Sequence, residues 1–200
     1  PFLLFAVIMR QARRELAEAR YTVEWVGPGQ RVPVFDTSDL RGFLVAPERR
    51  DYLVDLLSLF AEPRLRPPLT RTRRRGWLLM QELARDPQLI ERADPVERFA
   101  LYQRLGDEAL FLSGVYADHI GRFAPYQYAH PGLGLPSEML DMQSQGQFYY
   151  HLASEQPNAT SSGWGELMNV MADNFATARR LLNYISDRFI HRFQPQWHPL

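Results

Sequence analysis

The chain has 200 residues, 46% of them hydrophobic and 23% charged, which is enough apolar mass for one core of ordinary size and too much for a disordered chain. Its 23 basic residues balance its 23 acidic ones, so no whole-molecule field draws it to nucleic acid or to an anionic surface, and any such binding has to be local. Every basic residue is arginine and cysteine is absent, which excludes lysine nucleophiles, a phosphate-loop lysine, disulfides, thiolate catalysis and cysteine-ligated metal, and fits a cytoplasmic protein.

Phe5, Met9, Ala12, Leu16 and Ala19 recur at alternating steps of four and three, which predicts a first helix over about residues 2–20. Its first two turns are apolar on all sides. Leu3, Leu4, Phe5, Val7 and Ile8 cannot all enter one core, so they are candidates for an interface with a protein partner or a second copy. The run is far short of the roughly 20 residues that span a membrane, and Arg10, Arg13 and Arg14 follow it where a secretory signal would carry a small-residue cleavage site. The chain opens on proline, which leaves room for a segment upstream.

Tyr21 to Val26 and Arg31 to Phe35 alternate around Gly27-Pro28-Gly29-Gln30 and predict a small hairpin, with Pro33 confining one strand to an edge. Asp36-Thr37-Ser38-Asp39 supplies cap chemistry before Leu40, and Pro47 opens a clearer helix through Leu53, Leu56, Leu57 and Phe60 that Pro63 ends. Residues 1–46 could thus be an N-terminal appendage to a single helical domain spanning 1–200. Over 62–75 the chain reads as a basic, proline-rich linker, where Arg64, Arg66, Arg71, Arg73, Arg74 and Arg75 surround Pro67-Pro68 and no acidic residue intervenes from 64 to 75. Arginine forks suit phosphate, which makes these six candidates for RNA or another polyanion. A solvated linker is the plainer reading, and no recognised nucleic-acid fold accompanies them.

Trp77, Leu78, Leu79 and Leu83 predict a short helix ending near Asp86-Pro87. Asp94-Pro95-Val96-Glu97 then sets a cap, a first-turn proline and a reciprocal glutamate in order, launching a helix to about Ile120. Gly121 to Pro136 reads as a loop packed by its own aromatics. Ser137 caps a helix through about Glu155, Gln156 to Gly163 reads as a polar connection, and Trp164 to Phe193 keeps helical spacing as one long final helix. The fold class is therefore an all-α bundle of five to seven helices with a small N-terminal β-hairpin.

Glu108 shares a helical face with Leu101, Leu105, Leu112, Val115 and His119, so it should be buried and held, as should its neighbour Asp107, by a partner such as Arg104, Arg179 or Arg180. Glu108, His119, Tyr149 and His151 are the candidates for a ligand pocket, because tyrosine and histidine carry a polar tip on an apolar body. Metal is not expected. No glutamate-x-x-histidine motif occurs, the closest approximations are His151 with Glu155 and Asp187 with His191, each one turn apart, and Asp187 with His191 reads as a surface helix pair. Ser113 sits mid-helix and Ser161-Ser162-Gly163 lacks the glycine of a nucleophile elbow. Gly106 and Gly114 weaken a helix, which points to close approach of another helix.

The segment Leu105-Gly106-Asp107-Glu108-Ala109-Leu110-Phe111-Leu112-Ser113-Gly114-Val115-Tyr116-Ala117-Asp118-His119-Ile120 resembles a helix of an uncharacterised family of bacterial all-helical proteins. Gly146-Gln147-Phe148-Tyr149-Tyr150 and Leu181 to Phe189 resemble the same family, so the likeness covers roughly the second half of the chain. It implies a helical fold and a bacterial origin, and it supplies no catalytic residue or cofactor.

The expectation for function is a non-catalytic interaction or regulatory protein that works through a protein partner or self-association. The alternatives are a ligand-binding protein or enzyme using the Glu108 pocket, and an RNA or ribosome-associated factor using the arginine segment.

Overall fold

Phe5, Met9, Ala12 and Leu16 are the buried face of the first helix, as their spacing requires. In the computed structural model the described residues are 1–27, 30–61, 90, 92–117 and 137–190. The arginine segment, the helix expected around Trp77, the loop from Gly121 to Pro136 and histidines 119, 130, 191 and 198 lie outside them. In chain order the elements are α1 (Phe2–Glu18), β1 (Thr22–Gly27), β2 (Gln30–Val34), α2 (Ser38–Phe43), α3 (Pro47–Ala61), α4 (Pro95–Val115), α5 (Ser137–Ser154), α6 (Pro157–Ser162), α7 (Trp164–Asp173) and α8 (Phe175–Ile185). A π-helical turn, Ser186–Ile190, continues α8. The protein is an all-α bundle with a small antiparallel hairpin near its N-terminus.

Eight α-helices are described against the five to seven expected, and the difference has local causes. The long final helix is broken at Asn174, whose φ of −106° leaves helical geometry and whose side chain donates back to the Val170 carbonyl at 2.9 Å. The stretch after Gln156, expected as a connection, is instead the short helix α6. Pro157 opens it, Gly163 ends it with φ +81°, and the hydroxyls of Thr160, Ser161 and Ser162 all bond back to its own carbonyls. At α4 the expected cap is formed: Asp94 Oδ1 accepts from the Val96 and Glu97 amides at 2.8 and 3.0 Å.

The hairpin pairs Thr22 with Val34, Val23 with Pro33 and Glu24 with Val32, with an irregularity between Trp25 and Gly27 beside the turn. Pro33 is tolerated because a two-stranded sheet has only edge strands. One continuous core joins Phe5, Met9 and Leu16 of α1, Leu40 and Phe43 of α2, and Leu53 and Leu57 of α3 to the side chains of α4, α5, α7 and α8. At its centre α4 is buried on nearly all sides from Leu105 to Val115.

Three glycines set how closely the neighbours approach α4. A Cβ on Gly106 would stand 2.7 Å from the Tyr150 ring, one on Gly114 would stand 2.7 Å from Leu182 Cβ, and one on Gly146 of α5 would fall 2.2 Å from the Phe175 ring. The missing side chains let rings from α5 and α8 lie directly on helix backbone, and that is why Tyr150 can reach the polar group described next.

Candidate functional site

Because α4 is enclosed on nearly all sides from Leu105 to Val115, two consecutive carboxyls are taken out of water: Asp107 is 7% exposed and Glu108 6%. Asp107 is a hub. Its Oδ1 accepts the hydroxyl of Tyr52 from α3 at 2.5 Å and that of Tyr150 from α5 at 2.8 Å, and Gln103 Nε2 donates to the Tyr52 oxygen at 3.5 Å. The two rings meet edge to face, 6.3 Å between centroids. Burial pushes the Asp107 carboxyl up from 3.8 to about 7, although the two phenols and the Arg104 charge favour its ionised form. Burial likewise pushes both phenols well above their ordinary range, so they remain donors. The arrangement clasps three helices through one proton-binding group. It lies inside the bundle of described residues, Tyr52 being 6% and Tyr150 0% exposed.

Glu108 is engaged by an arginine, as its helical face suggested. Arg104 Nε donates to its Oε1 at 3.3 Å, while Oε2 is buried without a hydrogen bond among the described residues. Burial raises the Glu108 carboxyl, opposed by Arg104. The arginine is half exposed, so losing its anion leaves it hydrated rather than stranded. Glu108→Gln is therefore expected to change stability by less than about 1 kcal/mol, and in either direction. Chemical denaturation at neutral pH checks this, and a loss of several kcal/mol would show that the pair behaves as a fully desolvated one.

Arg179 and Arg180, the other partners considered for these carboxyls, are committed elsewhere. Arg179, 2% exposed, donates to Glu24 of β1, and Arg180 lies 3.8 Å from the other oxygen of Glu24 while donating to the Asp36 carbonyl at 3.0 Å. Tyr149 packs its ring on Tyr102 at 6.4 Å, and burial raises its phenol. His151 lies 3.3 Å from Asn169 Oδ1 and 3.7 Å from Asp173 Oδ1, neither of them the Glu155 that its spacing suggested. Asp187 pairs with Arg31 at 3.4 Å, while His191 falls outside the described residues. Glu108, Tyr149 and His151 thus each meet different partners. Among the described residues no group of three His, Asp or Glu could hold a metal ion.

A cleft of about 390 Å³ opens between α3 and α7, lined by Glu48, Arg49, Gly163, Trp164, Glu166 and Leu167 among others. The Trp164 ring, 42% exposed, stands edge-on to Tyr52 at 6.4 Å and to Phe99 at 6.5 Å. Arg49 lies over the Phe43 ring at 5.6 Å.

The interface candidates of α1 divide. Phe5 is 8% exposed and Ile8 is packed on the core, whereas Leu3, Leu4 and Val7 are 80%, 60% and 65% exposed and Phe2 is 49% exposed. No described helix is long and apolar enough to cross a membrane. The chain matches no family model, no curated protein and no solved structure.

The Asp107 hub was half legible in sequence. A carboxyl beside Gly106 in an apolar helix signals burial, but Tyr52 and Tyr150 look like ordinary core aromatics until α3 and α5 are set against α4.

Proposed function

We propose that this chain is a non-catalytic interaction protein, regulatory rather than chemical in its role, that acts by docking the outward face of α1 on a partner surface. The observation that carries this reading is the exposure of Leu3, Leu4 and Val7 in consecutive turns of a helix whose other face is already fully packed. Scattered exposed leucines need no explanation, but an apolar helix end with neither charge nor polar side chain from Phe2 to Met9 does. The buried carboxyl supports the same reading from the other side, because its two phenols seal it and it serves to hold helices together.

The test compares the parent chain with the double variant Leu3→Glu and Leu4→Glu in a whole-cell extract that retains its membranes. The parent is expected in assemblies larger than a single chain and the variant as a free monomer, with thermal unfolding of the two agreeing within about 2 °C, since both positions are exposed. Identical distributions for the two chains would overturn the reading.

A further inference from the structure

The outward stripe of α1 changes chemistry along its length. Leu3, Leu4 and Val7 fill its first turns, and at helical spacing the stripe continues into Arg10 and Arg14 with Arg13 beside them, all three exposed. No acidic residue precedes Glu15. Glu15 is itself occupied, accepting from Arg188 Nε at 2.9 Å and from the Tyr184 hydroxyl at 3.0 Å. An apolar helix end is thus followed directly by a cationic band.

Resting on the reading of α1 as the docking element, we infer that its partner is the surface of an anionic lipid bilayer. Phe2, Leu3, Leu4 and Val7 enter the boundary between headgroups and acyl chains, and Arg10, Arg13 and Arg14 lie at the level of the lipid phosphates. Apolar burial combined with cationic attraction is what holds an interfacial helix on such a surface, and neither contribution requires a matched patch on the other side.

A second copy of the chain is the poorer occupant. The exposed apolar side chains of this helix end offer only a few hundred Å², whereas a stable dimer buries about 800 Å² on each partner. Arg10 is the central residue of Phe2–Glu18, so full overlap of two such helices, parallel or antiparallel, places Arg10 beside its own copy. Like charges so placed oppose pairing.

Flotation of the full chain with vesicles tests the inference, using phosphatidylcholine alone or with about a third of phosphatidylglycerol. Binding to the anionic vesicles is expected to be at least about tenfold tighter, and replacing Arg10, Arg13 and Arg14 together by glutamine should remove most of that difference, each arginine being worth about a fivefold factor. Leu3→Glu with Leu4→Glu should abolish binding to both vesicles, and Leu4→Trp should add emission that shifts to the blue at a lower lipid concentration with the anionic vesicles than with phosphatidylcholine alone. Unfolding curves matching the parent's establish that the variants are folded. Equal binding to both vesicles, binding untouched by either set of changes, or a lipid-free dimer that the glutamates dissociate would each overturn the inference. If vesicles do not bind but the assemblies in the extract still depend on Leu3 and Leu4, the lipid falls and the docking role of α1 stands. If neither depends on them, both fall.

Discussion

Asp107→Asn is expected to abolish a loss of stability that the parent chain suffers as pH rises from about 4 to about 7. The carboxyl titrates at 3.8 in its ordinary state and at about 7 in the folded chain, so over that interval the folded protein holds a proton that the unfolded chain has released. A group raised in this way contributes its stability fully below the lower value and loses it as pH climbs to the upper one. The size follows from the interval, up to about 4 kcal/mol at 1.36 kcal/mol for each pH unit. Asparagine keeps the oxygen that accepts from Tyr52 and Tyr150 and cannot ionise. The variant should therefore lie within about 1 kcal/mol of the parent near pH 4 and exceed it by up to about 4 kcal/mol near pH 8.

Other groups also titrate in this range. Glu108 is raised by burial and adds a fall of the same sign. Glu15 and Asp36 act oppositely: burial raises Glu15, but Gln11, Tyr184 and Arg188 together hold it low, and the Ser38 hydroxyl lowers Asp36. Subtracting the variant's denaturation curve from the parent's at each pH removes the contributions of Glu15 and Asp36 and leaves that of Asp107 together with its repulsion by Glu108. A difference that stays flat from pH 4 to pH 8 would mean that Asp107 is ionised throughout, and the account of its burial would be wrong.

The second large effect is expected at Glu24. This side chain is 14% exposed and neutralises Arg179, whose side chain is 3% exposed, so Glu24→Gln takes the carboxylate from a desolvated guanidinium. Breaking a buried pair from one side costs several kcal/mol, and a loss of about 3 kcal/mol is expected here. Glu15 with Arg188 supplies the control. Their side chains are 25% and 44% exposed, and Glu15→Gln should cost under about 1 kcal/mol. Urea denaturation of the two variants decides the matter: equal losses would show that the hairpin's pair is as hydrated as the surface one.

Local signals are the most legible part of the sequence, although the cap chemistry of Asp36 to Asp39 is not used: Thr37 precedes α2 without a side-chain cap hydrogen bond. The Asp94 cap, the buried stripe of α1 and the hairpin around Gly27 to Gln30 are local features, determined by residues within a few positions of one another. The break at Asn174 was missed because Phe175, Ala178 and Leu182 keep the apolar period across it, and periodicity alone does not register one residue leaving helical geometry. The helix α6 carried its own signals, proline at the start and glycine at the end, but its polar composition outweighed them. For the candidate site the limit is distance along the chain. Burial of residues 107 and 108 follows from one helix, whereas the partners of Asp107 come from 55 and 43 residues away. Of the three arginines expected to serve the carboxyls, Arg104 does so at Glu108, whereas Arg179 is drawn to a strand 155 residues distant.

Those long separations shape how the protein is made. Glu15, Glu24 and Arg31 find their partners at Tyr184, Arg179, Asp187 and Arg188, across 155 to 173 residues. Loops of this span close late, and contacts of such high order slow folding. On a ribosome adding about 5–20 residues per second, the helix and hairpin at the front of the chain wait roughly 10–30 s for the element that completes them. During that interval Met9, Leu16 and Leu40 have α2 and α3 to pack against but not α8, and the apolar end of α1 is open to whatever surface lies nearest the emerging chain.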